Sequence, residues 1–162
     1  MIINLADSMP DILAMVTGAA YIIGMMSIIR GVYQLKIYGD LRTMMSSQTS
    51  FFPPLVMLVT GGLLLYFPSA LEIGLTTVFG YDSPLTYNTS GTNEDQIIGA
   101  LVIILQVIGV ISFIRGLMML QKIGQQGGGQ GVVGRGLLHI VGGLLAINIY
   151  GFWQILSYTL IG

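Results

Sequence analysis

Four apolar stretches, residues 12–35, 53–75, 97–121 and 136–160, alternate with short polar segments along the chain. Each falls near the roughly 17 to 25 residues that carry a helix across a bilayer. The pattern predicts an all-α membrane protein with four transmembrane helices joined by three connections. The first connection, "YGDLRTMMSSQTSFFPP", ends at Pro53-Pro54, which suits a helix start because proline is tolerated in the first turn. The second, residues 76–96, is polar and turn-rich, with Tyr81 and Tyr87 placed as interfacial anchors. The third, "GQQGGGQGVVGRG", is a flexible Gly/Gln tract.

The pattern also repeats. Residues 22–39 laid over 107–124 match at Ile23/Ile108, Gly24/Gly109, Ser27/Ser112, Ile29/Ile114, Arg30/Arg115, Gly31/Gly116, Leu35/Leu120 and Gly39/Gly124, an offset of 85. Eight identities, one an arginine, are more than shared apolar composition explains. The next helices correspond through "TGGLLL" at 60–65 and "VGGLLA" at 141–146, an offset of 81, so the second hairpin loop is four residues shorter. These matches predict two tandem helical hairpins, residues 1–75 and 97–162, with a connection at 76–96. Two crossings per unit give both hairpins the same orientation, a parallel repeat rather than the inverted repeat of many transporters.

Basic residues set that orientation, because Lys and Arg are retained on the cytoplasmic side of short loops. All six flank the hairpin loops: Arg30, Lys36 and Arg42 the first, Arg115, Lys122 and Arg135 the second. Asp7, Asp11, Glu72, Asp82, Glu94 and Asp95 fall on the other side, with Asp40 the exception. Cytoplasmic hairpin loops and periplasmic termini follow. The N-terminus carries acids and no Lys or Arg, unlike the basic start of a signal peptide, so the first helix is read as retained.

Composition narrows the function classes. Of 162 residues 54% are hydrophobic and 8% charged, against about 25% charged in a soluble domain. Mean hydropathy is +0.83. The absence of cysteine excludes disulfides, thiolate metal sites and cysteine nucleophiles. A net charge of −1 suggests no nucleic-acid partner.

The residues that stand out are small or basic. Thr17, Ala20, Gly24, Ser27 and Gly31 recur at steps of three and four, one face of a helix. Gly109, Ser112 and Gly116 repeat its cytoplasmic half, and Gly61-Gly62 and Gly142-Gly143 are expected to supply the facing surfaces. Small residues let two backbones approach closely, a leading attraction between helices in lipid. The same stripes suit packing within a hairpin or between subunits.

Arg30 and Arg115 each lie eighteen residues into their predicted helices, a rise of roughly 27 Å, near the cytoplasmic edge of the hydrocarbon core. From there a long side chain reaches headgroups by snorkelling. With Lys36 and Lys122 they are candidates for contact with a lipid headgroup or a partner's carboxylate. Bound phospholipid at these sites is the only cofactor-like molecule expected.

Other signals are weaker. His139 is the sole histidine, so it reads as a packing residue rather than a zinc ligand. Glu72 reads as interfacial rather than as a proton relay. Residues 129–134 satisfy G-x-G-x-x-G but follow no strand, so no nucleotide site is expected. The ten methionines read as adaptable apolar filler, not as a copper site. There is no nucleophile with its base, no carboxylate pair in a helix core and no metal cluster, so the chain is expected not to be an enzyme. Gln106, Asn148 and Gln154 are the polar residues nearest mid-membrane, few for a transporter.

An apolar helix, a short basic loop and a Gly-Gly-containing apolar helix together resemble the hairpin of conjugative and type IV secretion pilins, here doubled. The whole four-helix chain, with its repeated G-x-x-S-x-I-R-G, more closely resembles the small polytopic inner-membrane proteins of type IVB (Dot/Icm) secretion systems. That group includes IcmC/DotE, IcmD/DotP and DotV, with relatives in IncI-type conjugation. The resemblance implies a bacterial inner-membrane location. It further implies a structural, non-catalytic place among other secretion-system subunits, as a homo- or hetero-oligomer, in a machine exporting effector proteins or DNA. A pilin-like filament subunit and a small transporter or channel are the alternatives.

Overall fold

The computed structural model describes residues 8–43, 50–80, 93–123 and 130–161. Helix is the only regular secondary structure among them: α1 (Met9–Thr43), α2 (Phe52–Leu65), α3 (Phe67–Phe79), α4 (Asn93–Leu120), α5 (Gln130–Ile147) and α6 (Ile149–Ile161). Two helices, α1 and residues 97–120 of α4, are long and apolar enough to cross a membrane, and up to four spans result if each bent pair α2–α3 and α5–α6 is one. Tyr81, Tyr87, most of the outer connection and residues 124–129 of the Gly/Gln tract lie outside the described residues.

The first helix runs eight residues past the predicted end at 35. It continues because the tail "KIYGDLRT" is polar but free of proline, and its ends suit the helix dipole, Asp11 in the first turn and Arg42 in the last. Arg42 donates from Nη1 to Tyr38 Oη at 3.1 Å, one turn away. The second helix starts at Phe52, with Pro53 and Pro54 in its first turn, as the sequence suggests.

The larger difference lies in the second and fourth predicted spans, each of which turns by 94°. The first break falls at Tyr66, two residues before Pro68. A continuous helix would set the Pro68 ring against the Leu64 carbonyl and deprive that oxygen of its i+4 donor. The chain instead closes α2 with Tyr66 N–H donating to the Gly62 carbonyl, and opens α3 with Ala70 N–H donating to the Tyr66 carbonyl. The second break has no proline. Asn148 makes it, its Oδ1 accepting the Gly151 N–H at 3.0 Å and so capping the new helix. Gly80, at φ +76°, ends α3 in a left-handed conformation that favours glycine, donating to the Thr76 carbonyl.

α2 lies antiparallel on α1, and α5 on α4. The bends come early: Gly24 of α1 is level with Leu65, and Gly109 of α4 with Ile147. From those levels α1 continues fifteen residues to Met9 and α4 sixteen to Asn93, roughly 22 and 24 Å. Each long helix therefore has its antiparallel hairpin partner along about half its length. α3 then crosses towards the second hairpin with a stripe of Phe67, Leu71, Leu75 and Phe79 buried at successive turns. Phe67 meets the Phe113 ring of α4 at 6.1 Å between centroids. Gly74 takes the Leu144 side chain of α5 against its backbone, 3.1 Å from where a Cβ would stand. These residues join Ala20, Leu64, Val110, Ile114, Leu117 and Ile147 in one apolar core between the hairpins.

Candidate functional site

The small-residue face of α1 forms a seam with α2. A Cβ placed on Gly24 would stand 2.9 Å from both the Gly61 carbonyl oxygen and the Leu65 amide nitrogen, and one on Gly31 would stand 3.1 Å from the Leu58 side chain. In the second hairpin a Cβ on Gly109 would stand 2.7 Å from the Gly143 carbonyl oxygen and 2.8 Å from the Ile147 amide nitrogen. One on Gly116 would stand 2.8 Å from the Gly136 carbonyl oxygen. Where the obstacle is backbone it cannot swing aside, so these positions admit nothing larger than hydrogen. Such close approach maximises van der Waals contact, the attraction left when lipid removes the hydrophobic one.

The seams differ from the sequence expectation at the glycine pairs. Gly61 and Gly143 are in the contacts; Gly62 and Gly142 meet nothing within 4 Å. The contact partners thus stand 85 apart on the long helices and 82 apart on the short ones: Gly61 with Gly143, Leu65 with Ile147, the Tyr66 break with the Asn148 break. An offset of 81 would have paired Gly61 with Gly142, which points out of the seam.

The two serines do different work. Ser112 Oγ donates across its own hairpin to the His139 carbonyl at 3.2 Å. Ser27 Oγ lies 2.7 Å from the Ile23 carbonyl and 3.1 Å from Gln121 Oε1, the latter contact joining α1 to the turn after α4. Gln121, unmarked in the sequence, is thus a link between hairpins. Side-chain hydrogen bonds between membrane helices average about 0.6 kcal/mol. Ser27→Ala is expected to destabilise the folded chain by about that much, measured by thermal unfolding in mild detergent.

Arg30, Lys36, Arg115 and Lys122 are all exposed, and none has an ion-pair partner among the described residues. Arg30 and Arg115 each precede a seam glycine by one residue, about 100° around the helix. Each guanidinium therefore flanks its seam without entering it. His139 is half-buried with Nδ1 2.8 Å from the Arg135 carbonyl, a contact within one helix. Glu72 is exposed on α3. No group of three His, Cys, Asp or Glu side chains able to hold a metal occurs among the described residues.

Gln106 and Asn148, noted for their depth, are both buried. Asn148 is spent on the break: its Oδ1 caps α6, while its buried Nδ2 has no hydrogen-bond partner among the described residues. The breaks themselves had signals in the sequence. Pro68 sits inside an apolar run, and Asn148 stands three residues before Gly151, in the spacing of an N-cap and the N–H that donates to it.

Compared with protein-family models, with curated proteins and with solved structures, the chain matches none.

Proposed function

We propose that this chain is a non-catalytic structural subunit of a bacterial inner-membrane assembly, of the type IVB (Dot/Icm-like) secretion or conjugation kind. In this reading two copies of one duplicated hairpin sit side by side, hairpin loops in the cytoplasm and the N-terminus in the periplasm, and form part of the wall or scaffold of an export conduit. The observation that carries it is the repeated seam. The same glycine-to-backbone contacts recur at a constant register, 85 on one helix and 82 on the other, and each is followed by a 94° turn. A packing unit used twice is suited to building a surface. Polar side chains at the same depth are engaged in holding that unit together, Ser112 across a seam and Asn148 at a break.

The arginines fit the same reading as headgroup contacts, since their guanidinium groups are exposed outside the seam and, with the loops in the cytoplasm, would meet phosphate at that face. Energy for export would come from separate ATPases.

The test is isolation from native membranes in mild detergent, with mass spectrometry of what accompanies the chain. The expected result is a defined set of envelope proteins, including membrane subunits and an ATPase of an export machine, at fixed stoichiometry. Recovery in extracellular filaments would favour a pilin. Ion or solute flux through the purified chain in liposomes would favour a transporter and overturn the structural reading.

A further inference from the structure

We infer that this chain associates head to tail with further copies of itself, through the same interface that joins its two hairpins. This rests on the reading of the hairpins as equivalent units. A unit that docks on its own duplicate carries two complementary faces, one used to receive and one used to dock. Inside the chain the first hairpin uses its docking face and the second its receiving face. The first hairpin's receiving face and the second hairpin's docking face remain open at the two ends.

Equivalent positions make the open faces identifiable. On α4 the receiving residues Val110, Ile114 and Leu117 are 2%, 6% and 2% exposed. Their counterparts on α1, 85 residues earlier, are Met25, Ile29 and Val32, which are 61%, 59% and 55% exposed. On the docking side, Leu71 of α3 is buried whereas its counterpart on α6, 82 residues later, is the exposed Trp153. Exposure alone decides nothing in a membrane, where lipid covers apolar side chains as readily as protein does.

The contacts across the internal interface are more informative, because their open-end counterparts still match each other. Leu144 seats on Gly74 within the chain; the counterparts are Gly62, which meets nothing within 4 Å, and Leu156, which is exposed. The leucine and the glycine have exchanged sides and the knob still has its hole. Ser27 meets Gln121 at 3.1 Å; the counterparts are Ser112 and Lys36. The Ser112 hydroxyl keeps lone pairs free to accept from a lysine ammonium. Phe67 meets Phe113; the counterparts are Ile149 and Ile28, apolar on both sides. The open glycine is thus explained as a socket for the next copy. Such an interface is heterologous, so it propagates until it closes into a ring or runs on as an arc.

The cysteine-free chain allows a direct experiment with disulfide formation in membranes under mild oxidant. Gly62→Cys/Leu156→Cys is expected to give a ladder of covalent dimers, trimers and higher species, or a ladder ending at one closed ring. Gly62→Cys mixed with Leu156→Cys is expected to give dimers only, and neither variant alone to give any. A dimer from one single variant alone would mean a symmetric contact and would overturn the inference. So would the absence of intermolecular product from the double variant. Ser27→Cys/Gln121→Cys reports the internal interface. If that bond forms within one chain while no ladder appears, the head-to-tail inference alone fails; if it does not form, the side-by-side hairpins fail with it.

Discussion

Gly109→Leu is expected to abolish the packing of the second hairpin, while Gly142→Leu, on the facing helix, leaves it intact. A Cβ on Gly109 would stand 2.7 Å from the Gly143 carbonyl oxygen and 2.8 Å from the Ile147 amide nitrogen. Relief requires moving one helix bodily away from the other along the whole seam. Overpacking of flexible side chains costs about 1 to 3 kcal/mol, and rigid backbone on both sides puts this substitution at or above the top of that range. Gly142 meets nothing within 4 Å, so leucine there stays within about 0.5 kcal/mol of the original stability. Gly24→Leu and Gly62→Leu are the matching pair in the first hairpin, and the same ordering is expected. Thermal unfolding in detergent, read by loss of helical signal or by protease access, checks all four. Equal effects at Gly109 and Gly142 would mean that the seam runs elsewhere.

Asn148→Leu is expected to straighten α5–α6. The substitution removes the acceptor of the Gly151 N–H, and loss of a helix cap costs about 0.5 to 2 kcal/mol. It also removes a buried amide nitrogen that has no partner, and supplies a residue of high helix propensity in its place. Both changes favour one continuous helix over two. Trp153 is the only tryptophan and stands five residues past the break, which makes it a depth gauge. At a 94° turn it stays near the depth of residue 148, whereas in a straight helix it moves roughly 8 Å along the axis. Quenching of its fluorescence by lipids brominated at graded positions is expected to report that shift in the variant. Unchanged quenching would show that packing, rather than the cap, holds the turn.

Much of this was legible in the sequence, and what was not has a physical reason. The long helices and their small-residue faces follow from apolar run length and from spacing at three and four. The seam partners were harder. In each Gly-Gly pair the two residues point about 100° apart, and sequence matching cannot say which one faces the neighbour. Matching "GG" to "GG" gives an offset of 81, but close approach selects the first glycine of one pair, Gly61, and the second of the other, Gly143. The hairpin loops accordingly differ by three residues, not four.

The breaks were hidden for another reason. Hydropathy counts apolar residues and is blind to direction, so 53–75 and 136–160 each read as one span although Pro68 and Asn148 interrupt them. Gln121 was missed because a glutamine near the end of an apolar run resembles any boundary residue. Only the placement of Ser27 opposite it identifies the contact.

Each hairpin pairs a full-length apolar helix with an arm that turns aside halfway. Nitroxide labels at Val59, Leu63, Ile73 and Val78, all exposed from α2 into α3, test it most directly through their access to oxygen and to a water-soluble nickel complex. With the 94° turn, depth changes between Val59 and Leu63 and then levels, leaving Ile73 and Val78 close to one depth. A depth that instead changes steadily from Val59 to Val78, over roughly 28 Å for nineteen residues of unbroken helix, would mean that α2 and α3 form one straight span with no turn at Tyr66.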